Sequence, residues 1–289
     1  MKVVEITYRY DVALAAARPR PADAIAARQR LDEGSRSFAS LLAGIADGDG
    51  TVKRVVAVDP RDLGLAAGES GAPRQRPYAA VLGCSDARVP VELIFNEGPN
   101  DLFVVRVAGN GLGPEGMGSL KYAADHLGES LKLIVVLGHS GCGAVTAAVD
   151  VFLNPQSYLD LASQHALRTI LDRLLVVVLA AAKRMAAVHG PDVVRRAGYR
   201  EALIETAIVS NAALAAYTVQ QEMIGANAQA LRAAYGVWLI ESREVWAPRA
   251  GSTECAGLAL PPDDHTAFAG FAEAVVRSDR IIALLDDGS

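Results

Sequence analysis

The sequence predicts an α/β fold with a mostly parallel central β-sheet flanked by helices, and two observations carry that prediction. Four short apolar runs recur along the chain: YAAVLG (78–83), LFVVRVAG (102–109), LKLIVVLG (131–138) and YGVWLIE (235–241). Each is continuous rather than alternating, which suits strands buried on both faces, as in a parallel sheet. Helix-like segments near 116–127 and 142–152 follow the second and third runs, so strands alternate with helices as in an α/β protein.

The remaining elements fill in around that pattern. Residues 21–46 read as a helix: Pro21 suits a first turn, and Ile25, Leu31, Phe38, Leu41 and Leu42 fall roughly on one face. Residues 59–77 are rich in Gly, Pro and Arg and read as a loop. Residues 157–232 are Ala/Leu/Val-rich without strand signals, and predict two or three helices with turns near Gly190-Pro191 and Gly198. The tail after Pro248 reads as loop until AFAGFAEAVVRSDRIIALL (267–285), a final helix. The expected organisation is one domain over 1–289, with a helical N-terminal arm (1–50), a site-bearing core (75–150), an enlarged helical region before the last strand (153–232), and that strand with a C-terminal helix (235–289).

Composition narrows the class. The chain has 289 residues, 51% apolar and 21% charged, so it can build an ample core and is not a disordered chain. Its net charge is −5 and its basic pairs, Lys183-Arg184 and Arg195-Arg196, read as solvated helix faces, so no nucleic-acid partner is expected. The start MKVVEITYRY has no signal-peptide core, and the longest apolar stretch, LLVVVLAAA (174–182), is too short to span a bilayer, so no membrane role is expected. Three cysteines make no disulfide framework. A cytoplasmic location is the simple expectation, and there thiols serve more often as metal ligands or catalytic groups than as bridges.

Two cysteines sit just past apolar runs, in VLGCSDARVP (81–90) and VVLGHSGCGAV (135–145). Ligands of open α/β sheets gather outside the carboxyl ends of strands, so these motifs can meet although they are far apart in sequence. Two soft thiolates and an imidazole, from Cys84, His139 and Cys142, suit zinc, and three protein ligands with an open fourth position mark a catalytic site. Cys142 opens the segment CGAVTAAVDVF and would lie near a helix N-terminus, which favours the thiolate. In an extended stretch Cys84, Asp86 and Arg88 share one face, and Arg88 would keep Asp86 ionised and oriented beside the metal.

Taken in order, CSDARV, VELIF, DLFVVRVAGN, GSLKYA and IVVLGHSGCGAV resemble the β-class carbonic anhydrases, densely over about 75–150. LDEGSRSFASL is similar to the family's helical entry segment. The resemblance implies a zinc enzyme with one ion per chain that converts carbon dioxide reversibly to bicarbonate and a proton. It implies a dimer or larger homo-oligomer and a mostly parallel sheet flanked by helices. By position, Cys84, His139 and Cys142 match the zinc ligands, and Asp86 and Arg88 the catalytic dyad. Gln75, Phe103 and Tyr122 fall where one subgroup contacts its substrate, partly across the dimer interface. In some members the aspartate can close the metal site; Gln75 is of the open subgroup.

Three departures stand out: Ala87 in place of the more usual serine, the longer helical region at 153–232, and YGVWLIESREVW in place of a glycine-rich end strand. The same ligands also serve relatives that hydrolyse carbonyl sulfide or carbon disulfide, and a non-catalytic zinc scaffold or sensor is a further alternative. A redox thiol protein would leave His139 and Asp86 without a task. His126, His165, His189 and His265 are assigned no role, and Cys255 is read as a free thiol.

Overall fold

Five strands form the central sheet in the order β4–β3–β5–β6–β7. The structure is a computed structural model and describes residues 3–43, 51–65, 71–158, 165–224, 231–248 and 257–286. Strands β3 (Ala79–Gly83), β4 (Leu102–Arg106), β5 (Leu133–His139) and β6 (Arg232–Leu239) are the four apolar runs of the sequence, and all three pairings among them are parallel. The short β7 (Glu244–Trp246) turns back antiparallel on β6. The loosely matched YGVWLIESREVW is therefore a hairpin at one edge of the sheet.

Alternate side chains enter two separate cores. Ala80, Leu82, Ile134, Val136, Tyr235 and Val237 face one. Ala79, Val81, Leu133, Val135, Ala234 and Trp238 face the other. This two-sided burial explains the continuous apolar runs. Each fully buried Val, Leu or Ile contributes about 1.5–3 kcal/mol.

Helices cover both faces. On one side lie α2 (Ala24–Ala43), through Ala27 and Leu31, and α3 (Val91–Phe95), through Val91, Ile94 and Phe95. The other face carries α4 (Pro114–His126), α5 (Gly143–Leu153), α6 (His165–His189), α7 (Tyr199–Val219), α8 (His265–Val276) and α9 (Asp279–Asp286). The predicted turns fall where expected: α6 ends at His189, a 3₁₀ turn spans Pro191–Arg195, and α7 starts after Gly198. Helix α7 with its continuation to Met223 is long and apolar enough to cross a membrane, yet 72% of its most apolar window is buried; it is the core helix packed on β5 and β6.

Two expectations needed correction. The N-terminal arm is not wholly helical: it opens with β1 (Val3–Tyr10), which pairs in parallel with β2 (Thr51–Val58) as a separate two-stranded sheet, followed by the short α1 (Val12–Ala16). Ion pairs from Arg18 and Arg30 to the buried Glu97, at 2.7 and 2.6 Å, fasten this region to the main body. The predicted last helix is two, α8 and α9, broken at Arg277-Ser278, where Ser278 Oγ donates to Val275 O. Residues 44–46 of the predicted first helix and Cys255 lie outside the described residues.

Topology selects the site. From β3 the chain passes through α3 to β4 on one side; from β5 it passes through α5, α6 and α7 to β6 on the other. The carboxyl ends of β3 and β5 therefore flank a topological switch point, where such sheets leave a crevice.

Candidate metal centre

Cys84 follows Gly83 at the end of β3, and its side chain enters the core shared with Ala80 and Leu82. His139 is the last residue of β5, and Cys142 caps the N-terminus of α5. The link between them turns at Gly141, whose φ of 62° is a left-handed conformation that glycine adopts without strain. All three side chains are buried, and their ligand atoms lie within 4.8 Å of one another.

The donor chemistry fits a metal. His139 Nδ1 lies 3.0 Å from Ser140 O and donates to it, so in the neutral ring Nε2 carries the lone pair. Nε2 is buried with no hydrogen-bond partner. Contact with Cys142, then with His139, holds the Cys84 thiol well below its usual range, although burial opposes the shift. Contact with Cys84 and burial push the Cys142 thiol up. The sequence placed Cys142 at a helix N-terminus correctly, and the N–H groups of Val145 and Ala144 do favour its thiolate. The neighbouring Cys84 anion outweighs them. Two sulfurs and an imidazole nitrogen without a hydrogen-bond partner form a donor set suited to zinc, whose binding would displace the remaining thiol proton.

Asp86 and Arg88 join this cluster by a different route from the one expected. Residues 86–89 form a turn, closed by Val89 N to Asp86 O at 3.1 Å, rather than an extended stretch. Asp86 Oδ1 accepts from the Arg88 N–H at 2.8 Å, a local aspartate turn. The Arg88 guanidinium then grips both carboxylate oxygens, Nε to Oδ1 at 3.0 Å and Nη2 to Oδ2 at 2.7 Å. The Arg88 hydrogen bonds hold the Asp86 carboxyl well below the usual carboxylate range, although burial opposes the shift. Asp86 Oδ2 lies 3.8 Å from His139 Nε2, and Ala87 is exposed.

Several positioning groups were missed by sequence reasoning. Arg106, at the end of β4, donates to Cys84 O at 3.0 Å and Asp86 O at 2.5 Å, fixing the first ligand loop from beneath. Gly109 N donates to Cys84 Sγ at 3.3 Å, and Asn211 of α7 holds Gly109 O at 2.9 Å. The arginine and asparagine carried no motif of their own, although Arg106 and Gly109 lie within the quoted DLFVVRVAGN.

Gln75, Phe103 and Tyr122 contribute no atom to the Cys84–His139–Cys142 cluster. Gln75 is exposed in the loop before β3. Phe103 is half-buried on β4, opposite Ala80, and packs against the core face that also contains Cys84. Tyr122 is exposed on α4 and stacks on His126 at 4.6 Å. His189 is occupied structurally, with Nε2 2.8 Å from Val276 O.

Fold and site together define a parallel-sheet α/β protein with a Cys₂His metal centre at a strand switch point. A carbonic anhydrase family model matches residues 79–235, more than half of the chain. The chain belongs to the carbonic anhydrase family, β class. It is 49% identical over 92 residues to carbonic anhydrase 2 of Mycobacterium tuberculosis, covering 32% of this chain and 40% of that one. It is 47% identical over 85 residues to a carbonic anhydrase of Pseudomonas aeruginosa, covering 27% and 38%. The chain thus spans well under half the length of these curated relatives. Among solved structures, the β-carbonic anhydrase CcaA aligns with 64% of this chain and 85% of its own, at 26% identity and a TM-score of 0.49.

Proposed function

We propose that this protein catalyses the reversible hydration of carbon dioxide to bicarbonate and a proton. One observation carries the reading: a buried Cys84–His139–Cys142 ligand set has, 3.8 Å from its imidazole nitrogen, a carboxylate held on both oxygens by Arg88. Zinc on Cys84 Sγ, His139 Nε2 and Cys142 Sγ would supply a Lewis acid and an acidified water. The chain's own residues supply orientation. Ionised Asp86 can only accept hydrogen bonds, so it fixes the O–H of the attacking oxygen and leaves a lone pair for the carbon. With both its oxygens committed to Arg88, Asp86 is directed away from the role of a fourth metal ligand.

In this reading Gln75 donates to a substrate oxygen, while Phe103 and Tyr122 line the approach in a homodimer or larger assembly. The exposure of Gln75 and Tyr122 supports their completion by a second copy, and a cytoplasmic setting suits the free thiols. Stopped-flow hydration by zinc-loaded protein tests the activity. Turnover of carbonyl sulfide or carbon disulfide in its place would redirect the substrate, and zinc without turnover would favour a scaffold.

A further inference from the structure

The second ligand loop, His139 to Cys142, is held by three charged residues that lie outside the motifs quoted from the sequence. Gly141 N donates to Glu205 Oε1 on α7 at 2.9 Å. Ser140 Oγ donates to Glu241 Oε2 at 2.6 Å and accepts from Ile240 N at 2.9 Å. Arg280 of α9 joins the two carboxylates: Nη2 lies 2.8 Å from Glu205 Oε2 and 2.6 Å from Glu241 Oε1. Ser140 N also donates to Trp238 O at 2.9 Å. The peptide whose carbonyl receives His139 Nδ1–H is therefore fixed at its nitrogen and at its side chain.

We propose that the Glu205–Arg280–Glu241 bridge is a positioning device for the zinc ligands His139 and Cys142, through which the C-terminal helix sets metal affinity. The inference rests on the zinc reading above. Glu205 is 9% exposed at its side chain and Arg280 23%, so the central pair is largely withdrawn from water, and its charges need each other. Burial works against both Arg280 and Glu241, yet each is held in its charged form, Arg280 by Glu205 and Glu241, and Glu241 by Ser140 and Arg280. Glu241 belongs to the edge hairpin turn, Glu205 to the core helix and Arg280 to the last helix, so one guanidinium gathers three distant segments onto two ligand-loop residues. The bridge lines an open cleft of about 470 Å³ whose lining also includes Arg88. Outer partners that orient metal ligands typically change metal affinity about 10–100-fold when removed.

The test is zinc affinity of the full chain, measured by competition with a chromophoric chelator, with the absorption spectrum of the cobalt-substituted protein as a second readout. Arg280→Gln and Glu241→Ala are each expected to weaken zinc binding about 10–100-fold and to alter the cobalt bands. Arg196→Ala loosens the other end of α9, where Arg196 meets Asp286 at 3.5 Å, and should leave both unchanged. If Arg280→Gln does not fold, Glu241→Ala decides, because the Glu241 side chain is 54% exposed and its loss is tolerable. Zinc affinity within about twofold of wild type in the clamp variants, or an equal loss in Arg196→Ala, overturns the proposal. A wild-type protein that takes up no zinc would instead overturn the metal reading itself.

Discussion

Asp86 Oδ2 stands 3.8 Å from His139 Nε2, although the two residues come from different strand ends and are 53 positions apart. The carboxylate is already paired with Arg88 and Nε2 has no hydrogen-bond partner, so this closeness is not itself a hydrogen bond. It places a fixed acceptor beside the atom that would bind the metal.

Replacing that acceptor should separate binding from turnover. Asp86→Asn keeps size and shape, and zinc content should equal wild type. Hydration should fall by about 10² or more, the usual contribution of a positioned proton acceptor. Near-wild-type activity at full zinc content would remove Asp86 from the reaction.

Cys142→Ala removes one of two sulfurs from a buried site. Elemental analysis should find the purified variant without zinc, because an imidazole and one thiolate leave the coordination short of the three protein ligands typical of catalytic zinc. Stoichiometric zinc in this variant would overturn the ligand assignment.

Acid titration tests the grip of Arg88. The folded chain binds the Asp86 proton less tightly than the unfolded chain, whose aspartates titrate near ~3.9, so stability from this residue rises with pH. That contribution is complete above about pH 4 and is lost as pH falls through the depressed folded value. The carboxyl carbon resonance of Asp86 should not titrate between about pH 5 and 9, and Arg88→Gln should bring its midpoint up toward ~3.9. A wild-type midpoint above about 4 would contradict the pairing.

Gly109 offers a backbone test. Its φ is 65°, and an added Cβ would lie 3.1 Å from Ala144 Cβ and 3.3 Å from Leu174 Cδ1. Gly109→Ala should cost on the order of 1–2 kcal/mol in urea unfolding, from the left-handed conformation alone. It should also disturb the N–H that reaches Cys84 Sγ. Unchanged stability and zinc affinity would show that this turn is unstrained and has no part in holding the ligand.

The central sheet and the Cys84–His139–Cys142 cluster were legible because each depends on local signals. Continuous apolar runs marked β3 to β6, and glycine followed by Cys84 or His139 marked their ends. The N-terminal strand was not read as one, although VVEITYRY has the mixed polarity of a strand that is mainly exposed. Its partner, β2, follows a helix and gives the same weak signal. The turn that folds Arg88 onto Asp86 was missed because an extended reading also brings the two together, with different geometry. The Arg280 bridge could not be seen at all: Glu205, Glu241 and Arg280 resemble ordinary surface charges until the last helix docks. Sequence periodicity reports which face is buried, whereas pairing of solitary charges is fixed only by tertiary contact.

The central claim is carbon dioxide hydration at a zinc site of Cys84, His139 and Cys142. The most direct measurement is stopped-flow hydration by protein of measured zinc content, from neutral to mildly alkaline pH, beside the same protein stripped of metal. The account predicts fast turnover that tracks zinc content and disappears on stripping. Fully zinc-loaded protein without turnover at any of these pH values would contradict it.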